Sequence, residues 1–360
     1  MISPLLCLVL LWECQAPTEV QTVQVLPEQL PYANLSEYAF FKEKLKTLTP
    51  NEGVMPYDLS TPLFSDYAFK ARFVWMPDSV QATVAEDGQV VFPENTILIK
   101  NFYYPSDFQH PERDWQMVET RLLFNNGKQW EAFTYIWNDA QTDAKLSLIG
   151  GLQPVSWKDE NGKVQEIEYL VPNKNQCKSC HNLAKELLPL GPKVQNLDRD
   201  FVYGSVKQNQ LEKWQEAGIL EAQENLLDYS RMPVWNDPQS GSLKDRALAY
   251  LDVNCGHCHR PEGPAHTTGL YLTHDQQNRG KLGICKSPVA AGKGSGDRLF
   301  GIHPGQSDSS ILVFRMESND PGIMMPELGR VIKHQEGIAL IREWIDSMDG
   351  NCKEGLQDLN

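Results

Sequence analysis

The chain has 360 residues, 41% of them apolar, and carries a formal charge of -14 from 47 acidic and 33 basic side chains. That length and apolar content imply two or three domains with real cores and exclude an intrinsically disordered chain. The acidic balance works against polyphosphate ligands, so nucleic acid is set aside as a partner.

The amino terminus reads ISPLLCLVLLW before turning polar, an apolar run of signal-peptide length that is too short to span a bilayer as a helix. Residues 1–18 are therefore expected to be a signal peptide or a lipoprotein signal. Cys14 ends LLWEC ahead of the polar tether QAPTEVQTVQ and resembles the lipidated cysteine of bacterial lipoproteins, although Trp12 and Glu13 stand where that pattern has small residues. The expectation is an exported protein, periplasmic or associated with the outer membrane, with Cys14 as a candidate lipid tether.

Residues 34–46 (NLSEYAFFKEKLK) place apolar side chains at helical spacing behind an Asn or Ser cap and predict one short helix. From about 60 to 171 the pattern changes to short runs rich in Val, Ile, Thr, Tyr, Phe and Trp, at 68–76, 89–92, 96–104, 118–124, 131–137 and 165–171. Asp87-Gly88, Asn126-Gly127 and Asn161-Gly162 suit the positive backbone angles of tight hairpins. Residues 19–172 thus read as a β-rich domain with a short leading helix, antiparallel and sandwich-like. Helical patterns then take over, at 206–220, 242–253 and 336–348, with MPVWNDPQSGS (232–242) as a linker. The expected fold is a multidomain α+β chain made of the β domain, a segment 173–235, and a mostly α-helical domain over 240–360.

Two motifs in the second half carry chemistry: CKSCH (Cys177, Cys180, His181) and CGHCH (Cys255, Cys258, His259). Cys-x-x-Cys-His is the attachment signature of c-type haem, in which two thiols add to the haem vinyl groups and the adjacent imidazole ligates iron. With 8 Cys and 8 His in the chain, chance would supply on the order of 0.004 such motifs, so two are no accident. CGHC alone also matches the active site of disulfide isomerases, and paired Cys-x-x-Cys can hold structural zinc. Neither alternative accounts for a histidine directly after both pairs, and no βαβ pattern surrounds CGHC. The expectation is two covalently attached c-type haems, held by Cys177 and Cys180 in the segment 173–235 and by Cys255 and Cys258 in 240–360, with His181 and His259 as iron ligands. Cys285 and Cys352 remain as a candidate disulfide in an oxidising compartment, against two free buried thiols.

Haem iron bound by His on one face can take Met on the other, which raises the potential and suits electron transfer. The order helix, CGHCH, long loop region, Met-Pro, terminal amphipathic helix over 242–348 resembles class I cytochrome c domains. That resemblance implies Met325, in GIMMPELGR, as sixth ligand to the haem on Cys255 and Cys258, with Met324 packing beside it; His303, His266 and Met316 are alternatives. CKSCH follows a strand and the short loop PNKNQ rather than a helix, so it is not a second copy of that pattern. Met232-Pro233 repeats the Met-Pro pairing and makes Met232 the candidate sixth ligand there, with His110, Met117 or an open face as alternatives. Arg260 and Arg330 are candidates for pairing haem propionates, against ordinary surface roles. The glycine-rich GKGSGD (292–297) reads as a loop, because no strand-then-helix unit frames it as a nucleotide site.

The stretches MPYDLSTPLFSDYAFKARFVWMP, ILIKNFYYP, TYIWNDAQTDA, VPNKNQCKSCHN, RALAYLDVNCGHCH and MMPELGR resemble a family of exported bacterial dihaem c-type cytochromes with a β-rich N-terminal region, over about residues 35–350. The resemblance implies two covalent haems and supplies no substrate. The leading expectation is electron transfer between a redox protein donor and acceptor, with no catalytic residue. A dihaem redox enzyme, peroxidase- or oxidase-like with one open haem site, is the competing expectation, and a thiol-disulfide oxidoreductase using CGHC is the third.

Overall fold

The structure is a computed structural model that describes residues 22–223, 226, 229–350 and 352. The signal expected over 1–18, with Cys14, lies outside the described residues.

Strands β1 (Val54–Tyr57), β2 (Phe69–Trp75), β5 (Ile97–Pro105), β6 (Trp115–Asn125), β7 (Trp130–Trp137) and β8 (Ala144–Leu146) form one antiparallel sheet in that order, while β3 (Thr83–Val84) and β4 (Val90–Val91) pair separately. Alternation along the strands sorts side chains to two faces. Phe73, Ile97, Ile99, Leu122, Phe124 and Phe133 share one face, and Leu35, Tyr38, Phe40, Phe41, Leu45 and Leu48 from the N-terminal segment pack onto it. The sandwich expectation is corrected here, because 3-10 turns at Leu35–Tyr38 and Leu45–Thr47 cover this face in place of a second large sheet. The expected helix over 34–46 is broken by left-handed backbone at Ala39 (φ 52°) and Glu43 (φ 54°), which lets consecutive aromatic residues drop onto the sheet.

The opposite face carries Arg72, Val74, Leu98, Lys100, Arg121 and Thr134. One end is covered by β9 (Gly151–Lys158) and β10 (Val164–Val171), whose Val155, Trp157, Tyr169 and Val171 join the core there. The glycines of the three expected hairpin turns all adopt positive φ: Gly88 (84°), Gly127 (80°) and Gly162 (76°). The rest of this face is covered by the segment that follows. It contains α1 (Lys174–Cys180), β11 (Asn182–Leu183), β12 (Glu186–Leu187), α2 (Val194–Leu197), β13 (Asp200–Tyr203), β14 (Val206–Asn209) and α3 (Gln210–Glu216). Its Cys177, Leu187, Val194, Leu197, Leu211 and Trp214 share one core with Val74, Leu98 and Ala132 of the sheet. The helix expected over 206–220 shortens to α3, because Val206–Asn209 pairs with β13 and Asn209 caps the helix with its side chain.

The mostly α-helical region expected over 240–360 is also corrected, for helix makes up only about 22% of the described residues and the C-terminal part is mainly loop. Its helices are α4 (Leu243–Leu251), α5 (Ile311–Met316) and α6 (Gln335–Asp346). Between α4 and α5 the glycine-rich stretch 263–305 resists helix, each glycine costing roughly 1 kcal/mol against alanine, and the backbone bonds loop to loop, as in Leu272 N–H to His259 carbonyl and Cys285 N–H to Ile302 carbonyl. Cys285 and Cys352 form a disulfide with Cα atoms 5.1 Å apart.

The connection between β1 and β2 ties the segments together. Thr61 Oγ1 donates to the Pro233 carbonyl (2.6 Å), Phe64 N–H to Asn254 Oδ1 (2.9 Å), and the buried Asp66 carboxylate accepts the N–H groups of Val331 (2.8 Å) and Ile332 (3.0 Å).

Candidate functional site

Asn173 opens α1 with a reciprocal capping box, its side chain accepting from the Asn175 and Gln176 N–H groups while Gln176 returns a bond to the Asn173 N–H. The seven-residue helix then presents Cys177 and Cys180 one turn apart on the same side. This corrects the reading of PNKNQ as a plain loop before the first motif. Asn173 and Gln176, three residues apart, were the sequence signal for it.

His181 caps α1, and its Nδ1–H donates to the Leu188 carbonyl (2.8 Å). A carbonyl only accepts, so the proton sits on Nδ1 and Nε2 keeps its lone pair, which is the tautomer a metal-ligating histidine needs. Burial, more than its neighbours, pulls the His181 pKa down to about 4.

The second motif is delivered differently. After α4 the backbone loosens into a π-helical turn, Asp252–Gly256, which carries Cys255, and the N–H groups of Cys258 and His259 both bond the Cys255 carbonyl. Gly263 presses on this turn so closely that a side chain there would overlap the Cys258 carbonyl. His259 is held to about 4 by burial first, and its Nδ1 is buried without a hydrogen-bond partner.

The first motif and Cys255 of the second line one cavity, which holds about 2330 Å³ of atom-free space counting the solvent at its mouth. Cys177, Cys180, His181, Cys255, Met232 and Met325 all line it, whereas Cys258 and His259 do not. The two motifs are also joined directly, by a bond from the Ala184 N–H to the Glu262 carbonyl (3.0 Å), each residue three positions beyond its motif's histidine.

Met325 lies in the cavity wall, whereas Met324 is buried (6% exposed) outside it. Met232 is 2% exposed and lines the cavity, as does Met316 at the end of α5. The alternatives His266, His303, His110 and Met117 do not line it. Arg260 does, half-buried and paired to Glu262 (3.2 Å). Arg330 lines it too, and has a further task. Buried at 6% exposure, its guanidinium bonds the carbonyls of Ser318 and Met325 (2.9 Å each), so it braces the methionine loop.

Sequence reasoning missed two further features. His334 stacks on Phe64 (centroids 4.2 Å apart), meets Trp235 edge-on, and shares a hydrogen bond with Tyr250 Oη (3.0 Å); burial lowers its pKa to about 3. A band of cations, Arg72, Lys100 and Arg121, lines the sheet side of the cavity near the first motif.

The four motif thiols are free, and burial raises all of them, Cys255 and Cys258 to about 12. A thiol-disulfide oxidoreductase needs a depressed thiol pKa, so this environment is wrong for one. Among the described residues no three Cys, His, Asp or Glu side chains gather around a point where a metal ion could sit, which leaves structural zinc shared by the two Cys pairs without a donor set. One His and one Met per iron is a different donor set. At the first motif Cys177, Cys180 and the neutral His181 all face the cavity, the donor arrangement a covalent haem requires; at the second only Cys255 of the three does. Comparisons with protein-family models, curated proteins and solved structures return no match.

Proposed function

We propose that the protein is an exported dihaem c-type cytochrome that transfers electrons between a redox protein donor and acceptor. The observation that carries this reading is that Cys177, Cys180 and His181 of one Cys-x-x-Cys-His motif line one cavity with Cys255 of the other, far apart in sequence, and that the two motifs are hydrogen-bonded to each other through Ala184 and Glu262. Haem, when bound, supplies a one-electron centre whose potential follows its axial ligands and burial. Cys177, Cys180, Cys255 and Cys258 are the attachment thiols. His181 is oriented by Leu188, and His259 by the turn that Gly263 packs against. Met325 is the candidate sixth ligand at the second site, braced by Arg330, and Met232 at the first. The Cys285–Cys352 disulfide supports export to an oxidising compartment, and Cys14 is the proposed lipid tether to a membrane there.

The competing reading, a dihaem redox enzyme with one open haem face, draws on the basic side chains beside the first motif, which could also receive an anionic substrate. Low-temperature paramagnetic resonance on protein matured with c-type haem separates the two. Electron transfer predicts two low-spin irons, one of them converted to high spin by Met325→Ala and the other by Met232→Ala. A high-spin iron in the unaltered protein that Met232→Ala leaves unchanged selects the enzyme.

A further inference from the structure

We propose that Arg72, Lys100 and Arg121 form a carboxylate-binding site in the sheet wall of the cavity, beside the first Cys-x-x-Cys-His motif. These residues are separated in sequence but stand in one row across the sheet: Arg72 on β2 is directly opposite Lys100 on β5, and Lys100 is directly opposite Arg121 on β6. Opposed residues in an antiparallel sheet have Cβ atoms about 4.5–5.5 Å apart, and like charges so placed repel. Three in a row therefore weaken the ligand-free sheet unless something answers them.

The protein answers them only in part. Asp58 takes Nη1 of Arg72 (2.6 Å), and Glu119 takes both Nε (2.8 Å) and Nη2 of Arg121, so the unanswered groups of the row are Nη2 of Arg72 and the Lys100 amine. Arg72 is 4% exposed and its Nη2 is buried with no partner. Lys100 forms no ion pair among the described residues, its ammonium lying 4.9 Å from the centroid of the Phe102 ring. Lys70, on the same face of β2, adds a further basic group, so basic side chains outnumber Asp58 and Glu119 at this spot, and burial together with the neighbouring cations pulls the Lys70 pKa down to about 7 and that of Lys100 well below its ordinary value. In a chain of net charge -14 such a concentration calls for an anion.

The wall around the row narrows the ligand class. Leu59, Leu98, Leu123 and Ala132 line the same cavity, so the row shares its wall with apolar side chains. That suits a carboxylate on an apolar body better than a fully hydrated oxyanion such as sulfate. The carboxylate has two sources: a propionate of covalent haem, which rests on the function proposed above, or a free carboxylate, which does not.

The test uses the matured full-length protein with Lys100→Gln and the charge-keeping Lys100→Arg. Three quantities are read: covalent haem content, the thermal midpoint against added succinate at constant ionic strength with chloride as control, and the midpoint potential of each haem. A free ligand predicts a succinate-dependent rise in the wild type, at least tenfold weaker in its concentration dependence in K100Q and retained in K100R. A propionate in the site predicts no succinate response, together with a lower potential for one haem in K100Q but not in K100R. In both cases unliganded K100Q folds, because Lys100 is only half-buried and, among the described residues, forms no ion pair whose loss would strand a partner charge. The proposal is overturned if K100Q matches the wild type in both succinate response and potentials, or if K100Q does not fold. Succinate binding lost in K100Q without any covalent haem would sink the cytochrome reading and leave this site standing.

Discussion

The two motif sites are built on different foundations. The first rests on the six-stranded sheet, with Cys177 in the same core as Trp214, Val74 and Leu98, and it has no core of its own. The second is held by loops around α4, α5 and α6, closed by a disulfide and braced by Arg330. Identical five-residue chemistry is thus presented once by a rigid sheet with a charged wall and once by a loop assembly beside an aromatic cluster. In the proposed cytochrome, attachment chemistry is local, whereas the environment that sets potential and access belongs to the surrounding fold.

This contrast can be broken one side at a time. The largest effect is expected for Trp214→Ala, which empties a fully buried position under the first site. A loss of about 3–5 kcal/mol, read by denaturant unfolding, should come with lowered amide protection in the sheet and little change around α6. Next, Cys285→Ser combined with Cys352→Ser opens a link spanning 67 residues, and removal of a disulfide costs about 2–4 kcal/mol. Here the loss of protection should fall on the C-terminal segment alone; an equal loss in the sheet would show that the two sites share one foundation.

Arg330→Met removes the donor to the Ser318 and Met325 carbonyls. Leaving buried carbonyls unpaired costs about 1–3 kcal/mol each at most, and in matured protein the spectral signature assigned to Met325 should weaken while the first site is unaffected. A smaller effect is expected from His334. Burial holds its pKa at about 3 against an ordinary 6.5, so between these values the unfolded chain binds a proton that the folded one refuses. Its contribution is complete above pH 6.5 and is lost as pH falls toward 3. His334→Phe keeps the stack on Phe64 and should flatten the acid side of the stability profile; an unchanged slope would show that the folded-state environment of His334 does not disfavour its protonation.

The sequence made the motifs, the three hairpin glycines, the disulfide pair and the helices at 243–251 and 335–346 legible, because each depends on residues close together or on a rare residue type. It concealed whatever depends on register. Arg72, Lys100 and Arg121 look like scattered surface cations until β2, β5 and β6 are aligned. Arg330 read as a candidate for haem propionates because nothing local reveals that its guanidinium turns back onto Met325. The sandwich and the mostly helical C-terminal domain failed for a related reason. Strand count does not say whether a sheet's partner is another sheet or a set of 3-10 turns, and helical periodicity at 206–220 did not reveal that Val206–Asn209 pairs with β13.

The central claim is most directly tested by the mass and pyridine haemochrome spectrum of the full-length chain after co-expression with c-type haem maturation machinery. The account predicts two covalent haems per chain, falling to one in Cys177→Ala with Cys180→Ala and to one in Cys255→Ala with Cys258→Ala. A chain that folds, forms the Cys285–Cys352 disulfide and carries no covalent haem would contradict it.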